Sequence, residues 1–117
     1  MVLLSTAEAA PVTYQQVVEL VLRDVETTLG PSARDEAAAF VRLERRLGNV
    51  RDDHPEAIVD TLQTYIHDCF IDPTWPSCPL HHTHPLWFGK EDSWWCVMDD
   101  VSIAPLGGLA APRDEAS

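Results

Sequence analysis

The stretch Trp75–Cys96, WPSCPLHHTHPLWFGKEDSWWC, constrains the fold of this chain more than any other part. It contains two of the three cysteines, three of the five histidines and all four tryptophans of the 117 residues. Aliphatic side chains are few in it, and prolines interrupt it. A segment of this composition cannot bury enough apolar surface to fold unaided, so it requires a metal ion or a disulfide.

The cysteines and histidines of this stretch have the spacing of metal ligands. Two residues separate Cys78 from His81, as in a zinc knuckle, where a tight turn presents both side chains to one ion and backbone N–H groups bond the thiolate. His84 follows after another two-residue gap, and Cys96 arrives from a later strand. We predict that Cys78, His81, His84 and Cys96 hold one Zn²⁺ in a tetrahedral site, with His82 as the alternative to His81.

The other cysteine and histidines are predicted to be structural. Cys69 falls on the apolar stripe of a helix, which predicts a small buried side chain. His67 falls on the polar side of the same helix, and His54 precedes the proline of a helix start, so both are predicted to be structural or solvated. The four tryptophans are predicted to enclose the metal site and to cover the end of the helical core, with an exposed binding surface as the alternative.

Hydrophobic periodicity predicts three helices before this stretch. Thr13 and Gln16 have the pattern of a capping box at the first helix, which Gly30-Pro31 ends. Ser32 is the predicted N-cap of the second helix, and Asp53 that of the third. The apolar stripes consist of these residues: Tyr14, Val17, Val18, Val21, Val25 and Leu29; Ala33, Ala37, Phe40, Val41 and Leu47; Ile58, Leu62, Tyr65, Ile66 and Cys69. Three apolar residues fall off the main stripes as surplus apolar surface, and the sequence does not show whether a dimer hides it: Leu22, Leu43 and Val59.

The chain is predicted to change from helix to short strands after Phe70. Three prolines among the nine residues IDPTWPSCP exclude a continuing helix. Leu86–Phe88, Trp94–Met98 and Val101–Ala104 have the pattern of strands separated by polar turns. The predicted fold class is therefore α+β, with a three-helix arrangement followed by a small zinc-ribbon-like β-hairpin segment.

These elements divide the chain into four predicted segments. They are a flexible N-terminus over 1–12, a helical domain over 13–70, a zinc-binding β-hairpin module over 71–109 and a disordered tail over 110–117. Zinc would supply on the order of 10 kcal/mol of folding free energy to the module. Loss of Cys78 or Cys96 is therefore expected to unfold the module and to leave the helices largely formed.

The chain is acidic, with 8 basic and 19 acidic residues and a formal charge of -11. This charge makes nucleic acid or an anionic membrane a poor partner. The one basic cluster is predicted to be a solvated helix face, with an anion-binding patch as the alternative: Arg42, Arg45, Arg46 and Arg51. The sequence shows no targeting signal and no membrane-length apolar run, and an odd number of cysteines does not fit a disulfide framework. A cytoplasmic protein is predicted, whose partner is another protein, with a homodimer as an alternative.

The last third of the chain also carries a longer pattern. It consists of Trp75-Pro76, Cys78-Pro79-x-His81-x-x-His84-Pro85-Leu86, Trp94-Trp95-Cys96 and Ile103-Ala104 through Leu109. This pattern resembles the C-terminal segment of small bacterial proteins of actinobacterial type. The resemblance implies the same four ligands and favours His81 over His82, but it implies no activity. It departs at Val97, where the related segments often have proline.

The ligand set predicts a structural metal site and no enzymatic activity. A site with four Cys and His ligands is closed, whereas catalytic zinc keeps one position open for water. The sequence contains no H-E-x-x-H, no Gly-rich phosphate loop and no G-x-S-x-G. We predict an adaptor or regulatory protein-interaction module. The alternatives are a nucleic-acid-binding zinc module and a metal-dependent hydrolase with three zinc ligands, for which the candidate bases are Glu91, Asp92, Asp99 and Asp100.

Overall fold

The computed structural model of this protein describes residues 13–50, 55–69, 74–81, 84–89 and 93–110. Three helices come first, and we name them α1 (Tyr14–Leu29), α2 (Pro31–Arg46) and α3 (Glu56–Cys69). The strands β1 (Trp87–Phe88), β2 (Ser93–Cys96) and β3 (Val101–Pro105) follow and form one antiparallel sheet in that order. The predicted α+β class is confirmed.

Some of the predictions concern residues outside the described part of the chain. These are the flexible segment 1–12, most of the tail 110–117, and the residues Arg51, Asp53, His54, His82, Glu91 and Asp92. Within the described part, no helix combines the length and the apolar character that crossing a bilayer requires.

The first helix begins with the predicted capping box. The Thr13 hydroxyl accepts a hydrogen bond from the Gln16 backbone N–H at 3.1 Å, and the Gln16 side chain accepts one from the Thr13 N–H at 3.1 Å. These reciprocal bonds satisfy two of the N–H groups that a helix start leaves without a helical partner.

A corner at Gly30 joins α1 to α2. Gly30 has φ +100°, in the region that favours glycine, and its N–H donates to the Glu26 carbonyl at 2.9 Å. Because α2 begins at Pro31, Ser32 lies inside the first turn and the predicted Ser32 cap is wrong. The proline ring fixes φ near the helical value and lacks the N–H that a first turn leaves unbonded, so Pro31 suits the starting position.

The three helices each bury one face in a common core. The buried apolar residues of these faces are Tyr14, Val17, Val21, Leu22 and Val25 on α1, Ala37 and Val41 on α2, and Ile58, Val59, Leu62 and Ile66 on α3. Leu22 and Val59, predicted as surplus surface, thus belong to the core, whereas Leu43 is exposed. Leu47 was predicted on the stripe of α2, but it is 61% exposed because α2 ends at Arg46 and the chain turns there.

The sheet is built around its central strand, β2. Trp95 of β2 lies opposite Trp87 of β1, Trp94 lies opposite Ala104 of β3, and the register shifts between the two tryptophans. The strand ends at Cys96, two residues before the predicted end, because the four residues that follow form a turn. Asp100 closes this turn with φ +55°, a conformation that aspartate tolerates better than most residues.

Polar side chains of the helices hold the segment before β1 against the helical core. The Gln63 amide donates to the carbonyls of Trp75 at 3.2 Å and Leu86 at 2.7 Å. The Trp75 indole N–H in turn donates to the Thr28 hydroxyl of α1 at 2.8 Å. Trp75, Leu86 and Trp94 belong to the same hydrophobic cluster as the buried helix residues, so both parts of the chain share one core.

The buried carboxylate of Asp24 joins α1 to the sheet and to the chain after it. Its Oδ2 accepts hydrogen bonds from the Trp94 indole at 2.8 Å and from the Gly107 N–H at 2.7 Å, and its Oδ1 accepts one from the Leu109 N–H at 2.9 Å. Burial raises the pKa of Asp24, and the three hydrogen bonds offset only part of this rise. Gly107 has φ +87°, and a Cβ there would lie 2.5 Å from the Leu20 side chain, so the chain reaches Asp24 because this residue is glycine.

Substitutions at Asp24 test this connection. Asp24→Ala leaves three donors without their acceptor, and we expect a loss of about 3 kcal/mol in the free energy of unfolding. Asp24→Asn keeps one acceptor oxygen and should lose only about 1 kcal/mol at neutral pH. Urea unfolding measures both changes, with Asp35→Ala on the exposed face of α2 as the control. An Asp24→Ala variant as stable as the wild type would contradict the assigned role.

The pH dependence of the same variants tests the ionisation of Asp24. Its pKa in the folded protein lies above the ordinary value of 3.8, so folding favours the protonated form. This contribution is fully present below the unfolded pKa and is lost as the pH rises through the folded pKa. The stability of the wild type relative to Asp24→Asn should therefore fall over the interval in which the pH rises from below 3.8 through the folded pKa. A rise over that interval would contradict the direction of the shift.

Candidate metal centre

The chain closes on itself around the histidine stretch and brings Cys78 beside His84. The Leu86 N–H donates to the Pro76 carbonyl at 2.7 Å, and the Cys78 N–H donates to the His84 carbonyl at 3.2 Å. These bonds pair the segment 76–78 with the segment 84–86, which continues into β1, and the residues between them form what we name the histidine loop. The two candidate ligands at the base of the loop are thus held by backbone hydrogen bonds.

The sulfur of Cys78 lies in a knuckle-like environment. The side chain is completely buried, and its sulfur accepts backbone N–H hydrogen bonds from Leu80 and His81, as the Cys78–His81 spacing predicts. Burial raises the pKa of the Cys78 thiol, the two N–H bonds lower it, and the adjacent Cys96 raises it further. A bound cation would reverse the balance, because it favours the thiolate over the thiol.

A backbone hydrogen bond holds the ring of His84 in the tautomer that leaves Nε2 available to a metal ion. Its Nδ1 lies 3.0 Å from the Pro85 carbonyl oxygen. A carbonyl only accepts hydrogen bonds, so Nδ1 carries the proton and the neutral ring keeps its lone pair on Nε2. Nε2 lies 4.0 Å from the Cys96 sulfur. In many metal sites a histidine ligand donates the N–H of its other ring nitrogen to a carbonyl, which fixes the orientation of the ring.

Cys78, His84 and Cys96 form one group of candidate ligands. Their ligand atoms all lie within 4.8 Å of one another. Around a tetrahedral ion with ligand distances of roughly 2.0–2.3 Å, neighbouring ligand atoms lie roughly 3.3–3.8 Å apart. Within the group, the distance of 4.0 Å between the Cys96 sulfur and His84 Nε2 is close to this spacing. The structure thus brings together three of the four predicted ligands.

His81 belongs to a second, overlapping group. Its ligand atom lies within 4.8 Å of those of Cys96 and Asp99, and its Nε2 is 2.9 Å from Asp99 Oδ2. Its ring also stacks on that of His84, with centroids 5.2 Å apart and an angle of 29° between the planes. The structure therefore places His81 at the edge of the first group and gives it a carboxylate partner. The alternative ligand, His82, lies outside the described residues.

The remaining cysteine and histidine of the described part lie at the C-terminal end of α3. Cys69 is exposed and lines an open groove of about 370 Å³ together with Tyr65 and Phe40, so the prediction of a buried side chain is wrong. Cys69 is the last residue of α3, and at this position the helix extends beyond the core. His67 Nε2 donates to the Trp75 carbonyl at 2.6 Å, which confirms a structural role.

The four tryptophans divide between the core and the surface. Trp75 and Trp94 are completely buried and meet edge to face, with ring centroids 5.6 Å apart. They close the end of the helical core, as predicted. Trp95 is half-buried, and Trp87 is 42% exposed. An exposed surface built from all four tryptophans is therefore not present.

Comparison of the chain with protein-family models, with curated proteins and with solved structures gave no match.

Metal titration tests the proposed ligands. Co²⁺ added to the reduced wild-type protein should give thiolate charge-transfer bands and the visible bands of a tetrahedral ion. Cys96→Ser and His84→Ala should weaken binding by more than about 100-fold, since loss of an outer partner of a ligand alone costs 10–100-fold. The matched control is Cys69→Ser, which removes the exposed thiol of α3. Loss of the bands in this control and not in Cys96→Ser would show that the ligand assignment is wrong.

Proposed function

We propose that this chain is a small acidic protein in which a structural Zn²⁺, bound by Cys78, His81, His84 and Cys96, supports a protein-interaction surface. The observation that carries the proposal is the convergence of two buried cysteines with the Nε2 lone pair of His84. Two thiolates and two neutral imidazoles balance the charge of the ion and suit the tetrahedral geometry that zinc prefers. The resemblance to small actinobacterial-type proteins points to the same four residues.

A structural role follows from where the candidate ligands lie. Cys78 and Cys96 are both completely buried, and the ion would join the histidine loop to the end of β2. Four protein ligands leave no position for a reacting water. The sheet would then be held by the ion at Cys96 and by Asp24 at Trp94 and the chain after β3.

A metal-dependent hydrolase is the second candidate, and one observation favours it. Cys78, His84 and Cys96 form a complete three-residue group, whereas His81 makes its polar contact with Asp99. A water on the fourth position would then lie near a His–Asp pair, which is a common base. Two thiolates donate charge to the ion and make it a weaker Lewis acid, so the structural role has more support. A nucleic-acid-binding module has the least, because the charge of the chain is -11.

The proposed interaction surface is the apolar tip formed by Leu80, Val97 and Met98, which are 54%, 59% and 68% exposed. Leu80 precedes His81 and Met98 precedes Asp99, and the His81–Asp99 hydrogen bond joins the two loops. Large apolar side chains exposed on two adjoining loops mark binding surfaces. Because acidic residues flank the tip and the chain is acidic overall, the partner is proposed to be a protein that offers apolar residues ringed by basic ones.

Variants of the tip test this surface. Leu80→Ser/Met98→Ser should abolish capture of a basic partner by the zinc-loaded protein from the cells that produce it, and capture by the wild type should weaken as salt is raised. The matched control is Leu47→Ser, since Leu47 is equally exposed but lies at the end of α2. Capture of the same proteins by the tip variant and the wild type would contradict the assignment of the surface. A dimer that dissociates in the tip variant would identify a second copy as the partner instead.

A further inference from the structure

Asp99 contacts a candidate ligand from outside the predicted ligand set. It lies in the turn between β2 and β3, three residues after Cys96, and its Oδ2 is 2.9 Å from His81 Nε2. Both side chains are partly accessible, at 33% for His81 and 48% for Asp99. The turn that follows the candidate ligand Cys96 thus carries the hydrogen-bond partner of the candidate ligand His81.

This contact determines which nitrogen of His81 is available to a metal ion. An ionised carboxylate only accepts hydrogen bonds, so Nε2 of His81 carries the proton that Asp99 accepts. A neutral imidazole with its proton on Nε2 has its lone pair on Nδ1. His84 is held in the opposite tautomer, because its Nδ1 donates to the Pro85 carbonyl. The two histidines would therefore bind through different nitrogens, Nδ1 in His81 and Nε2 in His84.

The backbone around Asp99 supports its placement. The turn begins directly after the buried Cys96 and ends at Asp100, whose φ of +55° closes it before β3. On the other side, the His81 backbone N–H bonds the Cys78 sulfur. The backbone of His81 is therefore held by Cys78, and its ring is held by Asp99.

We propose that Asp99 is the positioning residue of the metal centre, which holds His81 in the Nε2–H tautomer and directs Nδ1 toward the ion. The inference rests on the proposed zinc site and adds a residue to it. A carboxylate on the outer nitrogen also increases the basicity of the ligating nitrogen, which strengthens its bond to the metal. Asp99 is 48% exposed, so its substitution leaves the core of the protein intact.

Substitutions at Asp99 measure its contribution to zinc affinity. Asp99→Leu removes the acceptor and should weaken zinc binding about 10–100-fold in a chelator competition. Asp99→Asn keeps an acceptor oxygen and should weaken it less, by under about tenfold. The matched control is Asp100→Asn, which removes the same charge from the neighbouring residue and should change affinity by less than about twofold. Equal losses in Asp99→Leu and Asp100→Asn would show a general charge effect and overturn the proposal.

Long-range ¹H–¹⁵N NMR of the zinc-loaded protein measures the tautomer of each histidine ring, which would not change if Asp99 had only a structural role. In the wild type we expect the His81 ring to carry its proton on Nε2 with Nδ1 on the metal, and the His84 ring to show the reverse. In Asp99→Leu the His81 tautomer should become mixed, while that of His84 stays unchanged. His81 bound through Nε2 in the wild type would overturn the proposal.

Three further outcomes separate this inference from the proposed function. Zinc binding by the wild type with unchanged affinity in Asp99→Leu would overturn the role of Asp99 and leave the four-ligand site standing. Loss of a ligand in the Co²⁺ spectrum of Asp99→Asn would identify Asp99 as a direct ligand, which also overturns a positioning role. A wild-type protein that binds neither Zn²⁺ nor Co²⁺ would overturn the proposed function itself.

Discussion

The buried carboxylate of Asp24 is the contact on which the arrangement of helices and sheet depends. It lies on the face that α1 turns to the core, and all three of its hydrogen bonds go to residues at least 70 positions later in the sequence. A carboxylate that is removed from water must find donors, because leaving it without them costs several kcal/mol. The chain after β3 supplies two backbone donors and Trp94 supplies the third, so one side chain of α1 joins both the central strand and the chain after β3 to the helices. The requirement extends to Gly107, since a larger residue there would meet α1.

Among the described residues, none of the candidate metal ligands is hydrogen-bonded to Asp24, whose partners are Trp94, Gly107 and Leu109. The strands are short, the two-residue β1 most of all, and a sheet of this size has little stability of its own. Its inner face is anchored through Trp94, but all four residues of the turn after Cys96 are exposed. A metal ion bound by residues of the loop and of β2 would hold these parts together. The same bond would fix the apolar tip, so that the proposed interaction surface depends on the metal.

The shared core changes one expectation drawn from the sequence. A separate zinc module would unfold on metal loss and leave the helices formed. Trp75 and Trp94, however, complete the core into which the helices also pack, and Trp94 is one of the donors to Asp24. Unfolding of the segment that carries the candidate ligands would therefore expose apolar helix surface and a buried carboxylate. We expect metal loss to destabilise the helices as well.

Local sequence patterns predicted much of this structure, because the relevant interactions are themselves local. The Thr13 capping box, the helical stripes and the Cys78–His84 loop all involve residues within a few positions of one another. Predictions failed where distant residues or chain ends decide the outcome. The periodicity of α3 could not show that Cys69 lies beyond the core. Asp24 was missed, although an acid between Val21 and Val25 was a signal, because its donors lie in the C-terminal part.

Two-probe unfolding tests the central claim, that a structural metal ion and one shared core make the chain a single folding unit. All four tryptophans lie in the segment that carries the candidate ligands, so their fluorescence reports on that segment while far-UV circular dichroism reports on the helices. Urea unfolding of the zinc-loaded protein should give coincident curves, and chelation should move both midpoints to lower urea together; zinc at 1,000 times its Kd would contribute about 4 kcal/mol. Midpoints that do not change on chelation would contradict a structural metal. A tryptophan transition that moves while the helical one stays in place would contradict the single unit.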